Sequence, residues 1–527
     1  MNLKQSLLRA VSLWPDREAV ADGQLKLTYS ELGDRVASLS AGLKTAGVLP
    51  ADVVGVLAPN CHEYLELYYA AAFAGAVLNP INYRLSAPEI VDILNDCDVR
   101  VLFVHQDFEA TALEVCKSYT KLRQIIWLGL GTSPQTDCKS QRYEPFLLSH
   151  PGVELPGSLP EPDTLAQLYY TSGTTGQSKG VMISHENAAV NALGAVSELA
   201  LSDRDCWAHL APMFHLVDAW AVWAVTWVGG KHTFLPYFKV AEVLPLLERE
   251  KVTITALVPT MLGGLLSSPN TWEYSYPDLR MILTAGSPVA PELVRQVGDV
   301  FHCDYAQFYG MTETSPFLTI SLPLERHKNL PAKRLQEIKA TTGRPFISAE
   351  VKVVRENGQE VERDGSEVGE IIARGPNVTK GYWHKPQITG ETIRKGWIYT
   401  GDLAVVDEDG FINIVDRKKD MIITGGENVY STEVEHVLYE HAAVLECAVL
   451  GIPDDSWGEI VKAVVVLQPG HDATEADLVE HVQKHLARYK APKSIDFVEE
   501  LPKTGSGKIY KKGLRERYWE GQKKKVH

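Results

Sequence analysis

Short, nearly continuous apolar runs alternate with stretches of helical periodicity over most of the chain. VVGVLAP (53–59) precedes a helical pattern from Glu63 to Ala74, and VRVLFV (99–104) precedes another over 107–119. ITALVP (254–259) and MILTAG (281–286) each lead into a further helix. Strands without polar alternation, separated by helices, predict parallel sheet with both faces covered. Near residue 340 the texture changes. EVKVVRENGQEV, GEIIARG and FINIVD are short strands, with Asn357-Gly358 and Asp409-Gly410 as turn pairs, which predicts an antiparallel, barrel-like β region. After Asp416 a charged cluster, RKKD, opens a separate run of strands and helices. The expected fold is α/β: a large N-terminal body (1–416) of parallel-sheet subdomains plus a β-barrel-like region, then a small α+β C-terminal domain (417–527).

The same pattern limits the alternatives. The N-terminus, MNLKQSLLRAVSLWPDREAV, reads as an amphipathic helix, with neither a long apolar core nor a cleavage site. The most apolar stretch, Ala219 to Gly230, lies between Asp218 and Lys231. It is too short for a bilayer, which takes roughly 20 apolar residues, so a buried helix is expected. Residues 131–162, rich in Ser, Pro and Gly, read as a surface excursion, and the basic tail from Gln522 to His527 as a solvated end. At 527 residues the chain exceeds one hydrophobic core. A net charge of −15 argues against non-specific nucleic-acid binding, while leaving room for a local basic site for a small anion. Seven cysteines lie scattered without CxxC spacing, which predicts reduced thiols in a cytoplasmic protein and no structural zinc.

Candidate chemistry is densest from Tyr169 to Gly180, YYTSGTTGQSKG. A strand ending near Tyr170 runs into Thr171, Ser172, Gly173, Thr174, Thr175 and Gly176, with Lys179 beyond. Glycines let backbone N–H groups approach an anion closely. The hydroxyls add donors and Lys179 adds charge. That composition suits a polyphosphate, though the spacing is not GxxxxGK[ST]; on composition alone a flexible surface turn is the alternative. Phe308 to Glu313 gathers an aromatic ring, a glycine, a hydroxyl and a carboxylate within six residues. Alone, such a carboxylate is more often a solvated turn, and Asp402 or Arg417 alone is more often a surface charge.

Taken together, six blocks resemble the adenylate-forming superfamily, which comprises acyl-CoA synthetases, peptide-synthetase adenylation domains and luciferases. They are TSGTTGQSKG, APMFH (211–215), FYGMTET (308–314), YTGD (399–402), DRKKDMIITGGENV (416–429) and PKTGSGKI (502–509), in the family's order and across essentially the whole chain. Ser178 departs from the family's usual proline. The resemblance implies ATP, Mg²⁺ and coenzyme A as a co-substrate. Thr171, Ser172, Gly173, Thr174, Thr175, Gly176 and Lys179 would hold the phosphates. Gly286, Ser287 and Pro288 would form the turn at the adenine and acyl pocket. Tyr309 would stack on adenine beside Gly310 and Met311, Thr312 would bond the α-phosphate, and Glu313 would hold Mg²⁺, for which a carboxylate is a suitable hard ligand. Asp402 would take the ribose hydroxyls, with Arg417 near the same ribose and phosphate. Lys508 would bond the acid's carboxylate and the α-phosphate, offsetting charge that gathers during attack.

For the acid, the resemblance points to His215 as an aromatic gate, with general-base work as the alternative. Asp218, Trp220, Gly286, Tyr309 and Gly310 would line the rest of the acyl pocket, with Trp223 and Trp227 nearby. Core packing at helical spacing is the alternative for the indoles. The small domain is expected to be mobile and to turn at Lys419 between two half-reactions. Gly425, Gly426, Glu427 and Asn428 would then line a pantetheine tunnel, flanked by Trp457. Tyr489 and Lys493 would meet the CoA nucleotide, or else form an exposed helix end.

The implied activity is an ATP-dependent acid–CoA ligase acting through an acyl-adenylate. The bulky apolar region around Trp220 suggests a medium- or long-chain fatty acid, with an aryl acid as the alternative. His215 follows Phe214 where amino-acid-activating domains carry an acidic group, although Asp218 keeps that reading open. An acyl carrier protein as acceptor, light emission and a non-catalytic nucleotide-binding scaffold are further alternatives. Glu313 and Lys508 together argue against the scaffold, since fold alone does not grant activity. No nucleic-acid partner and no transmembrane segment are expected, and a homodimer is compatible with the sequence.

Overall fold

The computed structural model describes the chain except for Thr132, Gln135, Asp137, Leu159, 173–177, Ser287, Pro288, Asp455, 504–508 and 520–527. The chain packs as two compact units, Met1–Val351 with Ala373–Ile398, and Lys352–Ile372 with Tyr399–His527.

The first unit is α/β, as its apolar runs predict. Among the described residues one sheet has nine strands, in the order Arg344–Pro345, Phe317–Ile320, Asp304–Gly310, Met281–Ala285, Ile254–Leu257, Cys206–His209, Lys231–Phe234, Glu18–Asp22 and Leu25–Thr28. The strands from Asp304–Gly310 to Glu18–Asp22 run parallel and the edges antiparallel. A second sheet orders Lys139–Arg142, Gln124–Leu128, Val101–His105, Val53–Leu57, Val77–Pro80, Leu165–Ser172 and Ser178–Ser184. Only its last pair is antiparallel. Val53–Leu57 and Gln124–Leu128 are buried at every position, the burial on both faces that strands without polar alternation require.

Helix Leu216–Trp227 buries every side chain but Val217 and Trp227. Twelve residues rise only about 18 Å, and no described helix is long and apolar enough to cross a membrane. The N-terminal helix, Lys4–Leu13, turns Leu7 and Ala10 into the core. Residues 131–162 are only partly the excursion expected. Lys139–Arg142 extends the seven-stranded sheet, and helix Tyr143–Leu148 buries Tyr143, Phe146 and Leu147. Three apolar side chains in one short helix outweigh the polar composition around them. The Tyr143 hydroxyl donates to Glu66 (2.5 Å), which Arg35 also pairs (2.7 Å).

In the second unit, a five-stranded sheet orders Glu427–Val429, Ile422–Thr424, Gly458–Leu467 and Val444–Asp454, with Ser494–Phe497 parallel to Gly458–Leu467. Helices Ser431–Tyr439 and Glu475–His485 cover a core that includes Ile422, Val434, Val465 and Leu478. Ahead of it, Trp397–Val406 and Ile412–Arg417 pair antiparallel. Glu350–Val354, Gly369–Arg374 and Trp397–Val406 belong to the predicted antiparallel region, and each runs across the division between the units. The division therefore falls upstream of the 416/417 boundary read from the sequence. Asp416 accepts the Ser431 N–H (2.5 Å) and hydroxyl (3.1 Å), tying the hairpin to the helix that follows.

Candidate active site

The parallel strands of the nine-stranded sheet end on one edge, where open α/β sheets bind ligands. Three predicted segments begin there. Ala211 to His215 follow Cys206–His209, Gly286 follows Met281–Ala285, and Met311 to Glu313 follow Asp304–Gly310. Gly286 has φ +98°, a backbone that favours glycine. Tyr309, Gly310, Met311 and Thr312 are partly exposed, whereas Glu313 is buried. Gly310 serves the turn itself: a methyl there would lie 1.7 Å from the Pro316 carbonyl oxygen, to which the Met311 N–H donates (3.0 Å).

Glu313 is fixed from two directions. Its Oε1 accepts from the Tyr382 hydroxyl (2.8 Å), and its carbonyl accepts from the Thr379 N–H (2.8 Å). The Asn377 amide donates to the carbonyls of Thr314 and Phe317, both at 3.0 Å. The same segment reaches strand Ser178–Ser184, where Met182 N–H donates to Gly381 (3.1 Å) and Trp383 N–H donates to Gly180 (2.7 Å). Lys179 Nζ stands 5.3 Å from the centre of the Tyr382 ring, within cation–π range. One tyrosine thus holds a carboxylate through its hydroxyl and faces an ammonium with its ring. Burial, with Glu313 alongside, pushes the Tyr382 phenol well above its ordinary pKa, so it stays a donor. Sequence reasoning missed Tyr382. It lies 69 residues from Glu313, outside the six blocks, and the only local signal is its place beside Gly381.

Thr171 pairs with Lys179 and Ser172 with Ser178 in the antiparallel hairpin, so Lys179 stands on a strand, not in a loop. Gly173, Thr174, Thr175 and Gly176, along with Ser287, Pro288 and Lys508, lie outside the described residues.

On the acid side, His215 immediately precedes helix Leu216–Trp227, its ring 4.3 Å from that of Phe214. Tyr83 meets Phe214 edge-on at 4.9 Å. Asp218 is fully buried, and its carboxylate accepts from Trp207 Nε1 (3.2 Å) and pairs with His209 Nδ1 (2.5 Å). His209 Nε2 meets His232 Nδ1 (3.0 Å), and His232 Nε2 meets Thr226 Oγ1 (3.0 Å). Burial, and His209 beside it, hold His232 well below its ordinary pKa. A neutral His232 satisfies the chain when Thr226 donates to it and it donates to His209, which donates to Asp218. Trp220 packs edge-on against Trp207 (4.9 Å) and Phe317 (5.0 Å), and more loosely against Phe308 (6.2 Å). Trp223 meets Tyr68 at 5.4 Å. Asp218 and Trp220, expected at the acyl pocket, make these contacts as buried residues. A helix buried around nearly its whole circumference must pair its carboxylate inside.

In the second unit, Asp402 and Arg417 face each other across paired strands, Nε 3.1 Å from Oδ1. Asp402 N–H donates to Thr400 Oγ1 (3.1 Å). Gly425 has φ +58°, and a methyl there would lie 2.5 Å from the Trp457 indole. The Gly425 N–H donates to the Trp457 carbonyl (2.9 Å), while the indole itself is 56% exposed. Gly426 has open space around it, and Glu427, Asn428, Tyr489 and Lys493 are exposed. The Lys419 carbonyl accepts from Arg515 (3.2 Å), which also pairs with Asp420 (3.0 Å).

The model of the AMP-binding enzyme family matches residues 7–383, and that of the AMP-binding enzyme C-terminal domain matches 433–508. A feruloyl-CoA synthase of Amycolatopsis sp is 37% identical over 512 residues, covering 97% of this chain and 98% of that protein. A 2-succinylbenzoate–CoA ligase of Geobacillus sp. (strain WCH70) is 34% identical over 516 residues, covering 97% and 96%. Among solved structures, an anthranilate CoA ligase in complex with anthranoyl-AMP superposes with a TM-score of 0.88 at 28% identity, covering 98% of this chain and 97% of that one. With matches in both units and relatives aligned over nearly the whole length, the chain belongs to the AMP-binding enzyme family and is an ATP-dependent, AMP-forming acid–thiol ligase that uses Mg²⁺ and coenzyme A.

Proposed function

We propose that the chain is an aryl acid–CoA ligase. The observation that carries this reading is the packing of Trp207, Trp220 and Phe317, from three different elements, ring against ring around Phe308, on the strand that ends in Tyr309 and Gly310. Rings already fill the wall beside those residues. A wall filled in this way suits a short, rigid, flat acid better than a long alkyl chain. The acids in the names of similar proteins, feruloyl, 2-succinylbenzoate and anthranilate, support it. A medium- or long-chain fatty acid, expected from hydrophobicity alone, is the competing outcome.

In the first half-reaction a carboxylate oxygen attacks the α-phosphorus of ATP, and the bond to the leaving pyrophosphate breaks. Lys179 supplies positive charge to the phosphates and Thr312 a hydroxyl donor to the α-phosphate. Glu313 fits Mg²⁺: it is a buried carboxylate whose orientation Tyr382 sets, the arrangement that fixes a ligand for a hard cation. Bound there, Mg²⁺ would neutralise phosphate charge. Asp402 and Arg417 take the ribose, and Lys508 bridges the carboxylate and α-phosphate. In the second half-reaction the CoA sulfur attacks the acyl carbon, AMP leaves with the carbon–oxygen bonding pair, and the thiol proton passes to solvent. The chain turns at Lys419 between the two steps, and Gly425, Gly426 and Trp457 guide the pantetheine arm. Seven cysteines, all free, support a cytoplasmic setting.

Acid-dependent exchange of labelled pyrophosphate into ATP, run across acids of graded length and aromaticity, tests the reading. Benzoic and arylpropenoic acids should lead, and Lys508→Ala should abolish exchange. A panel led by alkyl acids of eight or more carbons would replace the aryl assignment. Exchange without thioester formation on CoA would shift the acceptor to a carrier protein, and no exchange with any acid would leave a nucleotide-binding scaffold.

A further inference from the structure

Asn60 precedes helix His62–Ala74 by two residues and is 2% exposed. Its amide makes three hydrogen bonds, all to one stretch of backbone far away in sequence. Nδ2 donates to the carbonyls of His209 (2.9 Å) and Ala211 (3.0 Å), and Oδ1 accepts from the Met213 N–H (2.8 Å). Both amide hydrogens and the oxygen are engaged. From the same helix, Tyr68 donates its hydroxyl to the Met213 carbonyl (2.6 Å). Having spent its proton there, Tyr68 accepts from the Tyr169 hydroxyl (3.0 Å). Residues 209–213 are therefore gripped at four backbone atoms, and Phe214 and His215 come next. Tyr169 lies on Leu165–Ser172, the strand that enters the glycine-rich hairpin. One short piece of chain thus ties the segment before His215 to the strand that leads to the phosphates.

A buried amide is costly unless its hydrogen bonds are made. An apolar residue of similar volume could fill the space without that cost, but it could not choose the path of the loop. We propose that Asn60, with Tyr68, is a positioning residue for the acid substrate. It sets the backbone of 209–213, so that Phe214 and His215 stand at a fixed place relative to the phosphate hairpin. The inference rests on the reading of His215 as a neighbour of the acid. It does not depend on which acid is used.

The test compares Asn60→Asp, Asn60→Ala and Tyr68→Phe with wild type in pyrophosphate exchange, using whichever acid the wild-type enzyme prefers, with melting temperatures recorded alongside. The aryl assignment can then fail in the wild-type panel without touching this result. Asn60→Asp is nearly isosteric and keeps the acceptor for Met213, but it sets a carboxylate oxygen against two carbonyls. It should raise the KM for the acid by about tenfold or more, with the KM for ATP within about twofold. Asn60→Ala should show the same split to a smaller degree, and Tyr68→Phe a rise of about threefold. If Asn60→Asp does not fold, the split in Tyr68→Phe decides. Folded variants whose acid KM stays at the wild-type value, or whose acid and ATP KM values rise in parallel, would overturn the proposal.

Discussion

His62 sits between two carboxylates at the start of helix His62–Ala74. Its Nδ1 is 2.8 Å from Asp22 and 3.2 Å from Glu63, and its backbone N–H donates to Asp22 (3.0 Å). Burial favours the neutral ring, but Asp22, together with Glu63 and Glu66, outweighs it and pushes the imidazole up to about 9. The ligand atoms of Asp22, His62 and Glu63 fall within 4.8 Å of one another, yet a ring that holds its proton this firmly already provides the cation for the two acids. Because the folded pKa lies above the unfolded value near 6.5, the stabilisation is complete below about pH 6.5 and is lost as pH rises through 9. It amounts to something on the order of 3 kcal/mol. His62→Gln should therefore melt roughly 5 °C below wild type at pH 6.5, with the gap closing towards pH 10. Calorimetry at both pH values checks this, and an unchanged gap would mean that the ring is neutral throughout.

At the scale of elements, the stretch from Asn377 to Trp383 has no regular secondary structure, yet it joins the Thr312-Glu313 turn to strand Ser178–Ser184. Tyr382 is its working end. Tyr382→Phe keeps the ring beneath Lys179 and removes only the hydroxyl on Glu313. The concentration of Mg²⁺ needed for half-maximal exchange should rise about tenfold, as loss of a group that orients a metal ligand generally costs, with little change in melting temperature. A titration of exchange against Mg²⁺ measures it, and a variant with wild-type Mg²⁺ dependence would remove Tyr382 from the site. The contrast with what the sequence discloses is instructive. Val53–Leu57, Met281–Ala285 and helix Leu216–Trp227 were legible because burial on all sides leaves a continuous apolar run within a few residues. Glu313 and Lys179 stand out as candidates in the sequence because their neighbours are unusual. Tyr382, Asn60 and the chain Asp218–His209–His232–Thr226 do not, because each takes its meaning from partners on other elements. Asp218 and Trp220 likewise take their partners from other elements. They stand beside His215 in sequence, and only the packing reveals that helix Leu216–Trp227 turns them towards Trp207, His209 and Phe317.

For the molecule as a whole, a turn between two half-reactions on one chain implies that damage to one can spare the other. Gly425 offers a clean probe. Its backbone is left-handed, which costs alanine about 1 kcal/mol, and the new methyl would strike the Trp457 ring, so the indole must move. If Gly425 and Trp457 guide the thiol and do nothing earlier, Gly425→Ala should leave acid-dependent pyrophosphate exchange within about twofold of wild type. Thioester formation should fall on the order of 100-fold, the cost of misplacing a reacting group by about an ångström. Lys508→Ala should give the reverse, with exchange lost and thioester formation from presynthesised acyl-adenylate retained. The two variants must be read together. Opposite patterns mean that the unit carrying both residues serves the steps through separate surfaces. If either variant loses both half-reactions in equal measure while remaining folded, the steps share one arrangement, and a turn at Lys419 between them has no work left to do.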